Sequence, residues 1–463
     1  MNLSQIRAAL ESAGVRPAKK LGQNFLHDQN LARWIVEQAQ IGPDNFVLEI
    51  GPGLGALTGE ILKRCARLLA LEKDARLANF LREKFRDSRF ELRQCDALDF
   101  DTRILFAERN VKVIGNLPYY IASQLLLRFV NFPSYISLAL FMLQDEMARR
   151  LSAKPGSADY GALTLRLQLH HHVEYLRKIP PTVFIPQPEV ASAIVRFTPR
   201  QEKRIGIFDH EVFHEIVKHG FSQRRKQLRK LLAGQIKDWG SISKKIGAAP
   251  TARAEELSLE QWIALANLIA PGEEKIASRA SAERFPVVDE NDRQISTASR
   301  LKVHENNFRH RAVHILIFNH AGEILLQKRS PWKDRHPLLW DSSAAGHVEA
   351  NEDYDDAAAR ELMEELGASA KLNRIAKLPA SAKTGQEFIM IYRGEHDGPF
   401  AFPWEEISAI EFFPTRIVEK WTATKPEDFA PGFLECWRLV NATQPIPGPV
   451  GSSFPILPNN PPL

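Results

Sequence analysis

Between about Gln40 and Phe197, short apolar runs alternate with amphipathic stretches. "NFVLEI", "RLLALE", "FELRQCD", "VKVIGN" and "ISLALFML" read as buried strands, and the segments between them carry helical periodicity. Strands alternating with helices predict a largely parallel sheet covered on both faces. From Phe208 to Ala270 the strand signal fades, and "HEVFHEIVKHGFSQRRKQLRKLLAG" and "SLEQWIALANLIA" read as helices. "PGEEKIASRASAERFP", Pro271 to Pro286, is polar, charged and aperiodic, which marks a linker. Beyond it "RAVHILIFN", "GEILLQKR" and "FIMIYRGE" surround one strong helix, "YDDAAARELMEEL", and define a second α/β unit. The expected plan is an α/β domain over 1–200, a helical subdomain over 201–270, a linker over 271–286, a second α/β domain over 287–441 and a Pro- and Gly-rich disordered tail over 442–463.

Composition changes this picture little. At 463 residues, 44% hydrophobic and 25% charged, the chain has the profile of a globular protein of two or three domains. A formal charge of +5 permits an anionic partner such as nucleic acid without requiring one. Cys65, Cys95 and Cys436 lie far apart, which argues against a disulfide framework or a zinc site and suits a reducing cytosol. The N-terminus lacks an apolar core of signal-peptide length, and no later run is long enough to span a bilayer, so a cytoplasmic protein is expected.

The first candidate chemistry lies in "VLEIGPGLGALT", a strand running into a Gly-rich turn and a helix. Gly51, Gly53 and Gly55 let the backbone approach a ligand, and the helix start adds amide donors. Glu72 ends the next apolar run, where a carboxylate accepts ribose hydroxyls, and Asp96 ends the third, within reach of an adenine amino group. These features fit a dehydrogenase and a methyltransferase equally. "IGNLPYYI" separates them. Alone, Asn-x-Pro-Tyr is ordinary turn chemistry. Beside a nucleoside pocket it supplies what an exocyclic adenine amine needs in order to become a nucleophile. The Asn116 oxygen and a neighbouring carbonyl accept the amine hydrogens, Pro118 stiffens the turn and Tyr119 stacks on the base. A target base reaches such a pocket only when unpaired or extruded from its stack.

"KKLGQNFL", "VLEIGPGLGALT", "ALEKD", "QCDALDF", "IGNLPYYI", "VFIPQPEVASAIV" and "FSQRRKQLRKLL" stand in the order seen in the ribosomal RNA adenine dimethyltransferase family, which Lys19 to Ala270 closely resembles. The resemblance implies a Rossmann-like, S-adenosylmethionine-dependent domain with a small helical subdomain. It also implies dimethylation of two adjacent adenosines near the 3′ end of small-subunit ribosomal RNA. Carried over by position, Asn24, Leu26, Gly51, Glu72, Asp96 and Asn116 would line the cofactor pocket, Asn116 to Tyr119 would meet the target base, and Phe184 would be a second aromatic wall. The forms "NLPYYI" and "FSQRRKQLRKLL" favour this family over large-subunit methyltransferases of the macrolide-resistance type. Ser222 to Lys230 places five basic residues in nine, a solvated helix face by default and a phosphate contact beside an RNA-methylating pocket. His170, His171 and His172 would alternate faces on a strand, with no carboxylate or Cys at ligand spacing.

The second candidate site is "GHVEANEDYDDAAARELMEELGA". Gly346 is followed by five residues, Glu352, seven residues and then Arg360 and Glu361, with Glu364 and Glu365 one turn on. On a helix Glu361, Glu364 and Glu365 share a face. Like charges so placed repel unless a divalent cation joins them, and hard oxygen ligands suit Mg²⁺ or Mn²⁺. Such an ion bridges a diphosphate and activates water, with Glu361 and Glu365 as the reacting carboxylates. The spacing resembles the Nudix box, softened only at Ala368, and implies an α/β/α Nudix hydrolase acting on a nucleoside diphosphate linked to another moiety. The flanks look closest to a branch near isopentenyl diphosphate isomerases, whose chemistry uses a Cys where this chain has Ser342 to Ala345, so a hydrolase is expected. A contrasting reading is a ribosome-assembly factor with a passive nucleotide- or metal-binding module.

Overall fold

The computed structural model describes residues 3–15, 23–130, 132–200, 208–270, 283–333 and 335–443. They divide into two compact units, Met1–Gly272 and Glu273–Leu463.

The first unit is built on a seven-stranded sheet. From edge to edge its strands are Phe90–Gln94, Arg67–Glu72, Phe46–Ile50, Val111–Asn116, Ile136–Gln144, Ser192–Pro199 and His171–Ile179. The first five are parallel, Ser192–Pro199 runs antiparallel to them, and His171–Ile179 at the edge runs antiparallel to Ser192–Pro199 in turn. All five residues of Phe46–Ile50 are buried, as a central parallel strand covered on both faces requires. Its neighbours in sequence point to opposite sides: Leu48, Leu69, Val113 and Phe141 enter one core, and Val47, Leu68, Ile114 and Leu140 enter the other. The chain moves outward from Phe46–Ile50 in one direction and then returns to place Val111–Asn116 on its other flank. A crevice opens at such a switch point, beyond the carboxyl ends of the strands.

A separate helical core follows, around Phe213, Leu228, Trp239 and Trp262. The single helix expected across the basic run is broken: one helix covers His210–Gly220, and a short one covers Leu228–Leu231. A Cβ on Gly220 would lie 2.5 Å from the Trp262 ring, so the helices approach closely there. Leu228 is then buried by a turn whose Arg224, Arg225 and Lys226 stay exposed. The three histidines do not share a strand either: His170 ends the helix Ala162–His170, and His171 opens the strand His171–Ile179.

The second unit has its own mixed sheet, with strands in the order Trp340–Asp341, Ile324–Arg329, His310–Phe318, Glu387–Glu395 and Asn373–Leu378. Ala344–His347 pairs with His310–Phe318, and Ile407–Phe413 pairs with Ile324–Arg329. The helix Tyr354–Leu366 lays Ala357, Ala358, Leu362 and Leu366 on this sheet. Asp353 caps it by accepting from the amides of Asp355 and Asp356, and Gly367 ends it with φ +60°. A hairpin of Arg284–Val288 and Gln294–Ser299 precedes the sheet. Its first strand occupies the end of the stretch read as linker. Phe285 and Val287 point inward on a period of two that Pro286 interrupts in the sequence. Residues 271–282 and the tail beyond 443 lie outside those described. Among the described residues no helix is long and apolar enough to cross a membrane.

Candidate active sites

The crevice of the first unit is a cavity of about 1030 Å³, open to solvent, at the carboxyl ends of four parallel strands. Asn24, Leu26, Gly51, Glu72, Asp96, Asn116 and Pro118 all line it. Gly53 holds φ +58° and turns its amide onto Glu72 Oε2 at 3.2 Å, while Glu72 Oε1 accepts from the Asp74 amide at 2.9 Å. The carboxylate is thus oriented by the backbone, and burial pushes its pKa up. Asp96 is braced by the Leu98 amide at 2.9 Å and by Lys73 Nζ at 2.6 Å. Asn116 ends its strand with Nδ2 donating to the Asn24 carbonyl at 3.2 Å, which orients the amide and leaves Oδ1 as its acceptor. The donor set suits a nucleoside, with carboxylates for hydroxyl and amino groups and apolar walls from Leu26, Leu71 and Met142.

Two aromatic rings are placed differently from expectation. Tyr119 does not line this cavity; its hydroxyl hydrogen-bonds Ser192 Oγ at 2.7 Å. Tyr120, not singled out from the sequence, does line it and is 56% exposed. Phe184, carried over as a wall of the base pocket, is 2% exposed and packed in the core with Leu26, Ile179 and Ile194. Its ring offers no free face in this structure, because Phe184–Ile185 pairs with Phe25–Leu26 and turns the side chain inward. Glu49, not singled out from the sequence, also lines the cavity. Burial raises it to about 7, against a hydrogen bond from Thr58 Oγ at 2.7 Å.

In the second unit Glu361, Glu364 and Glu365 line one cavity, together with Arg300, Arg329 and Lys333. The carboxylates do not stand equivalently. Glu365 is 5% exposed and accepts from the Ala345 amide at 2.9 Å and Gln327 Nε2 at 3.0 Å. The Glu364 side chain is 53% exposed and pairs with Arg360 at 3.5 Å. Burial raises the pKa of both Glu361 and Glu365, and for Glu361 the charge of Glu365 adds to the rise. Two buried carboxyls that resist joint ionisation are the environment a divalent cation relieves.

Arg360 grips Glu352 through both carboxylate oxygens, at 2.8 and 2.9 Å, and reaches the His347 carbonyl at 2.9 Å, so the loop before the helix is clamped to it. The glycine of the motif has a direct role. A Cβ on Gly346 would lie 2.0 Å from Glu361 Cδ, so only glycine lets that carboxylate rest against the strand. Lys333, missed in the sequence, meets Glu406 and lies 4.0 Å from Glu365; burial pushes it down to about 8.

A nucleoside crevice at the switch point of a parallel sheet, and a carboxylate-lined helix clamped to a glycine strand, define a two-domain chain of nucleotide chemistry. The pattern of the ribosomal RNA adenine dimethylase family matches residues 15–271, and that of the NUDIX domain matches residues 308–432. The chain belongs to the ribosomal RNA adenine dimethylase family and carries a NUDIX domain after it. Relatives named ribosomal RNA small subunit methyltransferase A include that of Halothermothrix orenii, 39% identical over 263 residues and covering 54% of this chain and 87% of the relative. That of Prosthecochloris aestuarii is 41% identical over 254 residues, covering 55% and 94%. A solved dimethyladenosine transferase from Plasmodium falciparum is similar at 21% identity, covering 52% of this chain and 95% of its own, with a TM-score of 0.45.

Proposed function

We propose that the first domain moves methyl groups from S-adenosylmethionine to N6 of two adjacent adenosines near the 3′ end of small-subunit ribosomal RNA, in the cytoplasm, with the assembling small subunit as partner. The observation that carries the reading is Asn116: its amide is oriented by Asn24 at the rim of a cavity that also holds Glu72 and Asp96. Asn116 Oδ1 and a carbonyl of the following turn accept the two amine hydrogens, so the nitrogen lone pair faces the donor methyl carbon. As the N–C bond forms, the C–S bond breaks with its electron pair left on sulfur, and the N6 proton passes to solvent. Glu72 takes the donor's ribose hydroxyls and Asp96 its adenine amino group. The exposed basic turn from Ser222 to Lys230 contacts RNA phosphates.

The second domain, in the same proposal, hydrolyses a nucleoside diphosphate linked to another group. Glu361, Glu364 and Glu365 would hold Mg²⁺ or Mn²⁺, whose chemistry is to bridge the diphosphate and activate water. The test is direct. Full-length protein, the methyl donor and small subunits lacking the modification should yield two adjacent dimethyladenosines by mass spectrometry of the 3′ fragment. An unchanged fragment mass would overturn the first assignment. Absence of phosphate release from a broad diphosphate panel with Mg²⁺ or Mn²⁺ would overturn the second.

A further inference from the structure

We propose that the group joined to the diphosphate in the second domain's substrate carries a phosphate of its own, which Arg335 and Lys383 bind in a cavity beside the carboxylates. The proposal rests on the hydrolase reading and names the substrate class within it. This second cavity, of about 650 Å³, adjoins the carboxylate cavity of about 1270 Å³. Arg300, Arg329, Ala345 and Gly346 line both and form the seam between them. Glu361, Glu364 and Glu365 line only the one, while Arg335, Lys383 and Thr384 line only the other. A diphosphate held at the carboxylates meets Arg300 and Arg329 at the seam, and the group attached to it on that side enters the second cavity.

Charge decides what that cavity accepts. Its wall holds the cations of Arg300, Arg329, Arg335 and Lys383 against the carboxylates of Asp341 and Glu387. With the histidines neutral, two positive charges remain, facing the charge of about −2 that a phosphate monoester carries. Asp341, 3% exposed, is matched by Arg329 Nη1 at 3.0 Å, and Arg300 by Glu283 at 2.9 Å. Lys383 lies 4.0 Å from Glu435 with its side chain 74% exposed, a pairing that solvent screens heavily.

The local chain geometry supports this placement. Gly385 holds φ +67°, and a Cβ there would lie 3.2 Å from Arg335 Nη1, so glycine lets the guanidinium rest on the turn. Thr384, 5% exposed, pins the same turn by donating to the Glu387 carbonyl at 2.9 Å and accepting from the Ser381 amide at 2.9 Å. From the other side Arg329 Nη2 donates to the Arg335 carbonyl at 3.1 Å, tying the two arginines together. A planar guanidinium held in this way presents paired donors to phosphate oxygens.

A nucleobase is the competing occupant. A base calls for an aromatic platform or an apolar wall, and among the described residues no Phe, Tyr or Trp lines this cavity. Its uncharged wall is small instead, with Ala312, Ala345, Gly346 and Gly432. The cavity thus favours the phosphate-bearing end of the substrate over its nucleoside.

Full-length protein with Mg²⁺ is tested on ADP-ribose, ADP-ribose 1″-phosphate and adenosine 5′-tetraphosphate. At least one phosphate-bearing compound should exceed ADP-ribose in kcat/KM by about tenfold, and which one does so separates a phosphorylated sugar from a polyphosphate chain. Arg335→Gln and Lys383→Gln, each confirmed folded by thermal melting, should raise KM for that compound about tenfold and bring its kcat/KM toward that of ADP-ribose. Equal turnover of all three, a preference for ADP-ribose, or a preference that survives both substitutions would overturn the inference and leave the hydrolase reading intact. No turnover of any compound would count against the hydrolase reading. The inference is then decided by calorimetric binding of inorganic tripolyphosphate, which should weaken about tenfold in both variants. Unchanged binding in both, or no binding by the wild type, would overturn it.

Discussion

The side-chain amide of Asn116 donates to the backbone carbonyl of Asn24 at 3.2 Å, joining residues 92 positions apart. Because the acceptor is a backbone oxygen, the bond can form only with Nδ2 on that side. The strand end and the segment from Gln23 to Leu26 are thereby fixed to each other at the rim of the cavity. The chemistry proposed for Asn116 rests on this orientation, which pre-sets its oxygen as an acceptor before any base arrives.

Tyr119 separates ring from hydroxyl. Its bond to Ser192 Oγ anchors a half-buried ring. Tyr119→Phe should cost about 1 kcal/mol of stability and leave methyl transfer within a few-fold of wild type. Tyr119→Ala removes the ring that the family resemblance sets against the target base, and should lower transfer on the order of a hundredfold if that ring meets the base as the proposed function requires. Equal transfer by the two variants in a radiolabelled-methyl assay would show that the ring takes no part.

Gly346→Ala is expected to be far more damaging than its size implies. The new methyl would occupy the position of the Glu361 carboxylate, which must then leave the cavity. Mg²⁺-dependent hydrolysis should be lost while methyl transfer by the same chain is unchanged. Retained hydrolysis would show that Glu361 need not sit against this strand.

Glu49 gives the first unit a pH dependence. Its folded-state pKa, about 7, lies above its ordinary value of 4.5 because burial penalises the charge. The stability it confers is therefore fully present below 4.5 and is lost as pH rises through about 7. Glu49→Gln, which mimics the protonated form, should match wild type near pH 4.5 and exceed it near pH 8 by up to about 3 kcal/mol. Thermal melts at the two pH values check this; an equal difference at both would contradict it.

Much of this architecture is legible in the sequence because its strands are continuous apolar runs. Phe46–Ile50 and Ile136–Gln144 need no partner information to be read as buried. Other features depend on contacts far along the chain. The break after Gly220 falls where Trp262 packs against that glycine, and nothing local in the basic run announces it. Arg284–Val288 escaped notice because Pro286 and the charged residues before it imitate a linker, while its pairing partner follows a turn later. Glu72, Asp96 and Asn116 were found because each ends a strand, and strand ends converge.

Asn116→Ala tests the central claim most directly. The variant and wild type should be compared in methyl transfer to under-methylated small subunits, with donor binding measured on the same preparations. The account predicts that the alanine variant binds S-adenosylmethionine within a few-fold of wild type yet forms no dimethyladenosine. Transfer at the wild-type rate by that variant would contradict it.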